Sequence, residues 1–138
     1  MTARVSSKLV SFVNQRANGR CEYCQAPQII IGQVFHIDHI TPRSSGGETT
    51  SENLCLACSH CNIAKGNRTT ALDRRTQKEV PLFNPRRDSW HGHFRWNGDR
   101  TSLIGRTAVG RATVAALDMN ASIIRRARLY WGMLGLMP

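Results

Sequence analysis

Two cysteine pairs of identical spacing, Cys21/Cys24 and Cys58/Cys61, limit what this chain can fold into more than any other feature. A two-residue gap lets each pair fill two corners of a zinc tetrahedron, so the two stretches must meet in space. The gap between the pairs is longer than a minimal zinc ribbon needs, and something folded has to lie between the knuckles. The cysteine count is five. An odd number argues against a full disulfide framework and for thiolate ligation in a reducing compartment. Cys55 is left over and, at strand spacing between Leu54 and Leu56, is expected to be a small buried side chain.

A chain of 138 residues is expected to form a single domain, residues 1-138, with a core at about 16-68 and a basic carboxy-terminal extension at 69-138. No apolar run reaches membrane-spanning length, and the amino terminus lacks a charged start, an apolar middle and a small-residue cleavage site. A cytoplasmic protein without a membrane partner is the expectation. Nineteen Lys and Arg stand against nine acids, a net charge of +10 that calls for an anionic partner, with nucleic acid the first candidate. The basic residues are spread from Arg16 and Arg20 through Lys65, Arg68, Arg74, Arg75, Arg86 and Arg87 to Arg125, Arg126 and Arg128, as on a folded surface that follows a phosphate backbone.

Ser6 or Ser7 can cap a helix with Leu9, Val10, Val13 and Ala17 at helical spacing, and Gly19 can stop it. Ile29-Ile30-Ile31 and Val34-Phe35-His36-Ile37 suggest extended strands broken near Gly32. Residues 41 to 51 are rich in Pro, Ser, Gly and Thr and predict a surface loop, after which Leu54 to Leu56 returns as a second strand. Residues 59 to 67 predict a helix with Ser59 as its cap and Gly66 near its exit.

The order Cys21-Glu22-Tyr23-Cys24, His36-Ile37-Asp38-His39, Asn53 and Cys58-Ser59-His60-Cys61-Asn62 resembles the HNH endonucleases, whose active site is a ββα-metal module and whose CxxC-bearing members add a structural zinc. The likeness covers Cys21 to about Gly66. It implies an α+β fold: a ββα-metal (His-Me finger) nuclease core with a four-cysteine zinc site and flanking helices. By position, His39 matches the first catalytic histidine, Asn53 the middle asparagine, Asn62 the last signature residue and Asp38 the acidic metal ligand. With Asn at position 62, this is an H-N-N variant. The resemblance also implies cleavage of DNA to 5′-phosphate and 3′-hydroxyl ends.

Elementary chemistry leads the same way. Phosphodiester hydrolysis needs a water, a base for its proton and a cation for the developing charge. His39 suits the base, since imidazole titrates near neutrality. Asp38 and the Asn62 amide oxygen are hard donors for catalytic Mg²⁺ or Mn²⁺, while the cysteines hold structural Zn²⁺. Asn53 is expected to clamp the loop and thereby hold the base, and Lys65, three residues beyond Asn62 on one helix face, to hold the substrate phosphate. Neighbours on an ideal strand face opposite ways, so Asp38 and His39 can serve one phosphate only if the strand ends or bends there. His36 and His60 are expected to be strand or surface residues rather than ligands. The competing function class is a non-catalytic zinc module that binds DNA or RNA.

Beyond Asn67, Pro81-Leu82-Phe83-Asn84-Pro85-Arg86 and Trp90 with His91 and His93 resemble an extension found on small bacterial HNH proteins; the aromatics are expected to pack onto the core. A hairpin is expected within residues 98 to 107, and helices ending near Leu117 and Leu134, the second capped by Asn120. On that last helix Ile123, Ile124, Ala127, Tyr130, Trp131 and Leu134 form an apolar stripe with Arg125, Arg126 and Arg128 mostly off it. Burial of the stripe within the chain, and hence a monomer, is expected.

Overall fold

The structure is a computed structural model that describes residues 5–138; the first four residues of the expected domain lie outside it. Helix α1 (Ser7–Arg16) starts where the Ser6 hydroxyl accepts the Leu9 N–H at 3.2 Å, and ends as Asn18 and Gly19 turn to positive φ. The chain is thereby turned into Cys21. The Ile29-Ile30-Ile31 run is not a strand: residues Gln28–Ile31 form a single helical turn, α2. Pro27 is preset for the entry and Gly32, at φ 71°, supplies the left-handed exit, so the run is bounded as one turn. Ile29 is left 84% exposed, which no interior strand residue would be.

Strands β1 (His36–His39) and β2 (Leu54–Ala57) pair antiparallel, with Asp38 opposite Cys55 and His39 opposite Leu54. Every β2 residue is buried, because one face of the pair meets α1 and the cysteine cluster and the other meets α3 (Ser59–Lys65). The α3 cap is Cys58 rather than Ser59: its sulfur accepts the Cys61 N–H at 3.4 Å. A thiolate does here what a hydroxyl usually does.

The remaining chain builds two further antiparallel hairpins, β3 (Thr70–Asp73) with β4 (Lys78–Pro81), and β5 (Phe94–Trp96) with β6 (Leu103–Gly105). A short turn, α4 (Trp90–His93), leads into β5, and α5 (Ala108–Ala116), capped by the Thr107 hydroxyl, packs on β6 and β3. The approach is close: a Cβ on Gly110 would lie 2.0 Å from the His93 carbonyl oxygen.

Helix α6 (Ser122–Met133) departs from expectation twice. Asn120 does not cap it; its amide pairs with the Leu103 backbone N–H and C=O at 2.9 and 2.8 Å. Nor is the apolar stripe buried as a whole. Trp131 goes inside with Arg128, whereas Ile123, Tyr130 and Leu134 are 72%, 55% and 64% exposed. Arg128 is accommodated because its guanidinium donates to the Thr101 and Met119 carbonyls and lies over the Trp96 ring at 5.2 Å. Of the expected stripe the helix buries Trp131, and beside it a cation whose two terminal nitrogens are hydrogen-bonded.

Candidate active site and metal centre

The loop after α1 and the β2–α3 junction carry Cys21, Cys24, Cys58 and Cys61 into one cluster, their sulfurs all within 4.8 Å of one another. Cys24 and Cys58 Sγ are 3.7 Å apart. Four thiolates about 2.3 Å from a tetrahedral zinc would be roughly 3.8 Å apart. The cluster therefore fits zinc in donor type and in spacing. Backbone N–H groups of Cys24 and Cys61 point back at the sulfurs of Cys21 and Cys58, each the first cysteine of its pair, as knuckle turns require. Hydrogen bonds with the other cysteines, and then burial, raise the Cys24 and Cys61 pKa values, while hydrogen bonds from the other cysteines lower that of Cys58.

On the other side of the β1–β2 pair, residues from β1, the following loop and α3 line a cleft of about 440 Å³: His36, Asp38, His39, Arg43, Asn62 and Asn67 among them. All four residues of β1 border it, Asp38 with its carboxylate turned inward to Tyr23 and Lys65. Asn62 lies one turn into α3 on the same wall.

His39 Nε2 is 2.9 Å from the Thr49 hydroxyl, which fixes the ring. Burial, with Arg43 and Lys65 nearby, lowers the His39 pKa; the Asp38 charge opposes this. The neutral, proton-accepting form is favoured. Asn53 does not enter the cleft. Its Oδ1 accepts the Thr41 N–H at 2.9 Å, and its Nδ2 donates to the carbonyls of Thr41 and Glu48 at 3.0 and 2.8 Å. Gly47 makes room for this clamp, since a Cβ there would meet the Thr41 oxygen at 1.8 Å.

Asp38 is 7% exposed, and its Oδ2 accepts the Tyr23 hydroxyl at 2.8 Å and lies 3.2 Å from the Lys65 ammonium. Lys65 also donates to the His39 carbonyl at 3.2 Å and is itself only 2% exposed. Packing thus turns Lys65 away from its expected place beside Asn62 and toward the carboxylate. His36 bonds Ser59 at 3.0 Å and His60 bonds the Asp118 carbonyl at 2.7 Å. His91 packs against Trp90, and His93 bonds the Thr107 hydroxyl at 2.6 Å and packs edge-on to Phe83.

Three contributors were not singled out from the sequence: Tyr23, Thr49 and Arg43. Thr49 and Arg43 sit in a loop whose composition announces only a turn. Tyr23 lay in view between two zinc cysteines, and a large aromatic inside a knuckle is the one signal that could have drawn attention to it.

A ββα core of mixed helix and small sheets, joined to a four-thiolate site, defines the class to which this region belongs. Residues 21–68 match the HNH endonuclease family. The chain is also 44% identical over 59 residues to the CRISPR-associated endonuclease Cas9 of Corynebacterium diphtheriae, a likeness that covers 42% of this chain and 5% of that protein. The chain therefore spans only a small part of the relative's length. No solved structure matches the chain. Among the described residues, no helix is long and apolar enough to cross a membrane.

Proposed function

We propose that this protein is a metal-dependent endonuclease that hydrolyses phosphodiester bonds in DNA, with one catalytic Mg²⁺ or Mn²⁺ and His39 as general base. The observation that carries this reading is the convergence of His39, Asp38 and Asn62 on one cleft, behind a four-thiolate cluster that pins its two sides together. Asp38 and Asn62 would hold the ion through oxygen donors, the set that suits Mg²⁺ or Mn²⁺ better than zinc. When bound, such an ion supplies positive charge against the charge that builds on the phosphate and the leaving oxygen.

The chain's own residues do the rest. His39 takes a proton from the attacking water, and the Thr49 hydroxyl keeps its ring from turning. Asn53 holds the loop at whose start His39 stands, through three hydrogen bonds to its backbone. Arg43 offers a guanidinium at the cleft wall where a phosphate would lie. Lys65 contributes to phosphate binding as a fixed buried charge behind Asp38, not as a direct ligand. The strongly basic remainder of the chain suits a polyanionic substrate.

The test is cleavage of a panel of labelled duplex, nicked and single-stranded DNAs, first without added divalent ion and then with Mn²⁺. Cutting only with the ion, weakened steeply by salt, is the expected result. Tight, salt-sensitive binding with no cleavage under any divalent ion would favour a zinc-stabilised nucleic-acid-binding module instead.

A further inference from the structure

The carboxy-terminal extension reaches the first zinc knuckle at two points. Arg86 forms an ion pair with Glu22, whose other carboxylate oxygen accepts the Leu56 N–H at 2.8 Å. The indole N–H of Trp90 donates to the Tyr23 carbonyl at 2.8 Å. Glu22 and Tyr23 lie between Cys21 and Cys24, so the extension grips the very turn that zinc would close.

From that turn the Tyr23 side chain runs inward, fully buried, to Asp38. Its hydroxyl is 2.8 Å from Oδ2, and the Lys65 ammonium donates to Oδ1 at 3.4 Å and lies 3.2 Å from that same Oδ2. The only other polar side chain touching this oxygen among the described residues is the Cys55 thiol, at 3.7 Å a much weaker donor. A carboxylate on a short side chain, bonded on one oxygen by a rigid phenol and met on both by a buried ammonium, is held in one rotamer. The phenol is packed in on all sides, and Trp90 holds the backbone from which it extends.

We propose that Tyr23 is a positioning residue for Asp38, and that the extension acts on the cleft through it by anchoring the Tyr23 backbone with Trp90. This rests on the reading of Asp38 as a ligand for the divalent ion. Groups that orient a ligand carboxylate from behind set its readiness to bind, and their loss typically costs about 10–100-fold in metal affinity.

The test is Mn²⁺ binding to the zinc-loaded protein, followed by electron paramagnetic resonance, for the parent, Asp38→Asn, Tyr23→Phe and Cys55→Ala. Zinc content and unfolding midpoint are measured on the same samples. Tyr23→Phe should keep its zinc and weaken Mn²⁺ binding by about tenfold or more, while Cys55→Ala, which removes the weak donor to the same oxygen, should bind as the parent does. Parent-like binding by Tyr23→Phe, or an equal loss in Cys55→Ala, would overturn the proposal. Should Tyr23→Phe not fold, Trp90→Phe decides: weakened Mn²⁺ binding at full zinc content supports the anchoring role, and unchanged binding refutes it. If Asp38→Asn itself binds Mn²⁺ like the parent, the assignment of Asp38 as ligand fails, a result distinct from failure of the role given to Tyr23.

Discussion

The Lys65 ammonium lies 3.2 Å from the Asp38 carboxylate, and both side chains are almost wholly removed from solvent, at 2% and 8% exposure. Burying two charges is costly in itself, so the pair is poor evidence of net stabilisation, but breaking it by removing one partner strands the other. Lys65→Met should therefore destabilise the fold by about 3–5 kcal/mol. The comparison is Arg75→Met on the exposed β3–β4 turn, expected to change stability by less than about 0.5 kcal/mol. Urea unfolding of both variants checks this; equal, small losses would mean that Asp38 finds another partner.

Cysteine and histidine variants should separate scaffold from chemistry. Cys58→Ser removes one corner of the thiolate cluster while leaving a hydroxyl that can still cap α3, and should lose zinc and melt the knuckle. Metal-coupled folding in small zinc domains reaches roughly 10–16 kcal/mol, so the loss should be gross. His39→Ala, at the cleft wall, should leave zinc content and thermal midpoint nearly unchanged. Metal analysis and circular dichroism on the two variants provide the check.

Much of the core was legible in the chain, for physical reasons that also explain what was not. The CxxC pairs, the β1–loop–β2–α3 order and the α1 cap follow from local chemistry: ligand spacing, turn residues and a hydroxyl before an apolar repeat. The Ile29-Ile30-Ile31 run misled because three β-branched residues promise a strand, whereas Pro27 and Gly32 leave length for only one helical turn. The β3–β4 hairpin was silent because Arg74-Arg75-Thr76-Gln77 contains no glycine or asparagine, and Gln77 takes up the positive φ of 60° itself. The burial of Arg128 depends on carbonyls of Thr101 and Met119 and on the Trp96 ring, distant partners that no periodicity can reveal. At the site, His39 and Asn62 stand out from the motif and border the cleft, whereas the inward pairing of Lys65 was not legible: it depends on Asp38 turning into the core.

Gly47 should prove as important to activity as residues at the cleft. With a Cβ at 1.8 Å from the Thr41 oxygen and 2.9 Å from Asn53 Nδ2, Gly47→Ala must push the loop off its clamp. Displacements near 1 Å commonly cost on the order of 10²-fold in rate. Cleavage assayed beside zinc content should show the activity falling while the metal stays bound; unchanged cleavage would mean that the loop does not position His39.

Acid stability should depend on Asp73. Arg111 donates to both of its oxygens at 3.1 and 3.0 Å and the Thr76 hydroxyl adds a third bond, holding this carboxyl well below the usual range. A depressed folded-state pKa stabilises above the unfolded-state value, near 4, and that contribution is lost as pH falls further. Asp73→Asn should thus be less stable than the parent at neutral pH, with the difference narrowing below about pH 4. Unfolding midpoints from pH 7 to pH 2 decide it; a constant difference would show that ionisation of Asp73 is not what matters.

The central claim, that His39 activates water for phosphodiester cleavage in a cleft shared with Asp38 and Asn62, is met most directly by one paired measurement. Parent and His39→Ala proteins of equal zinc content are given supercoiled plasmid with Mg²⁺ or Mn²⁺, and DNA binding is measured alongside. Both proteins should bind, the parent should cut, and the variant should be slower by about 10²–10⁴-fold, the usual worth of a positioned acid–base group. Equal cutting by the two proteins would contradict it.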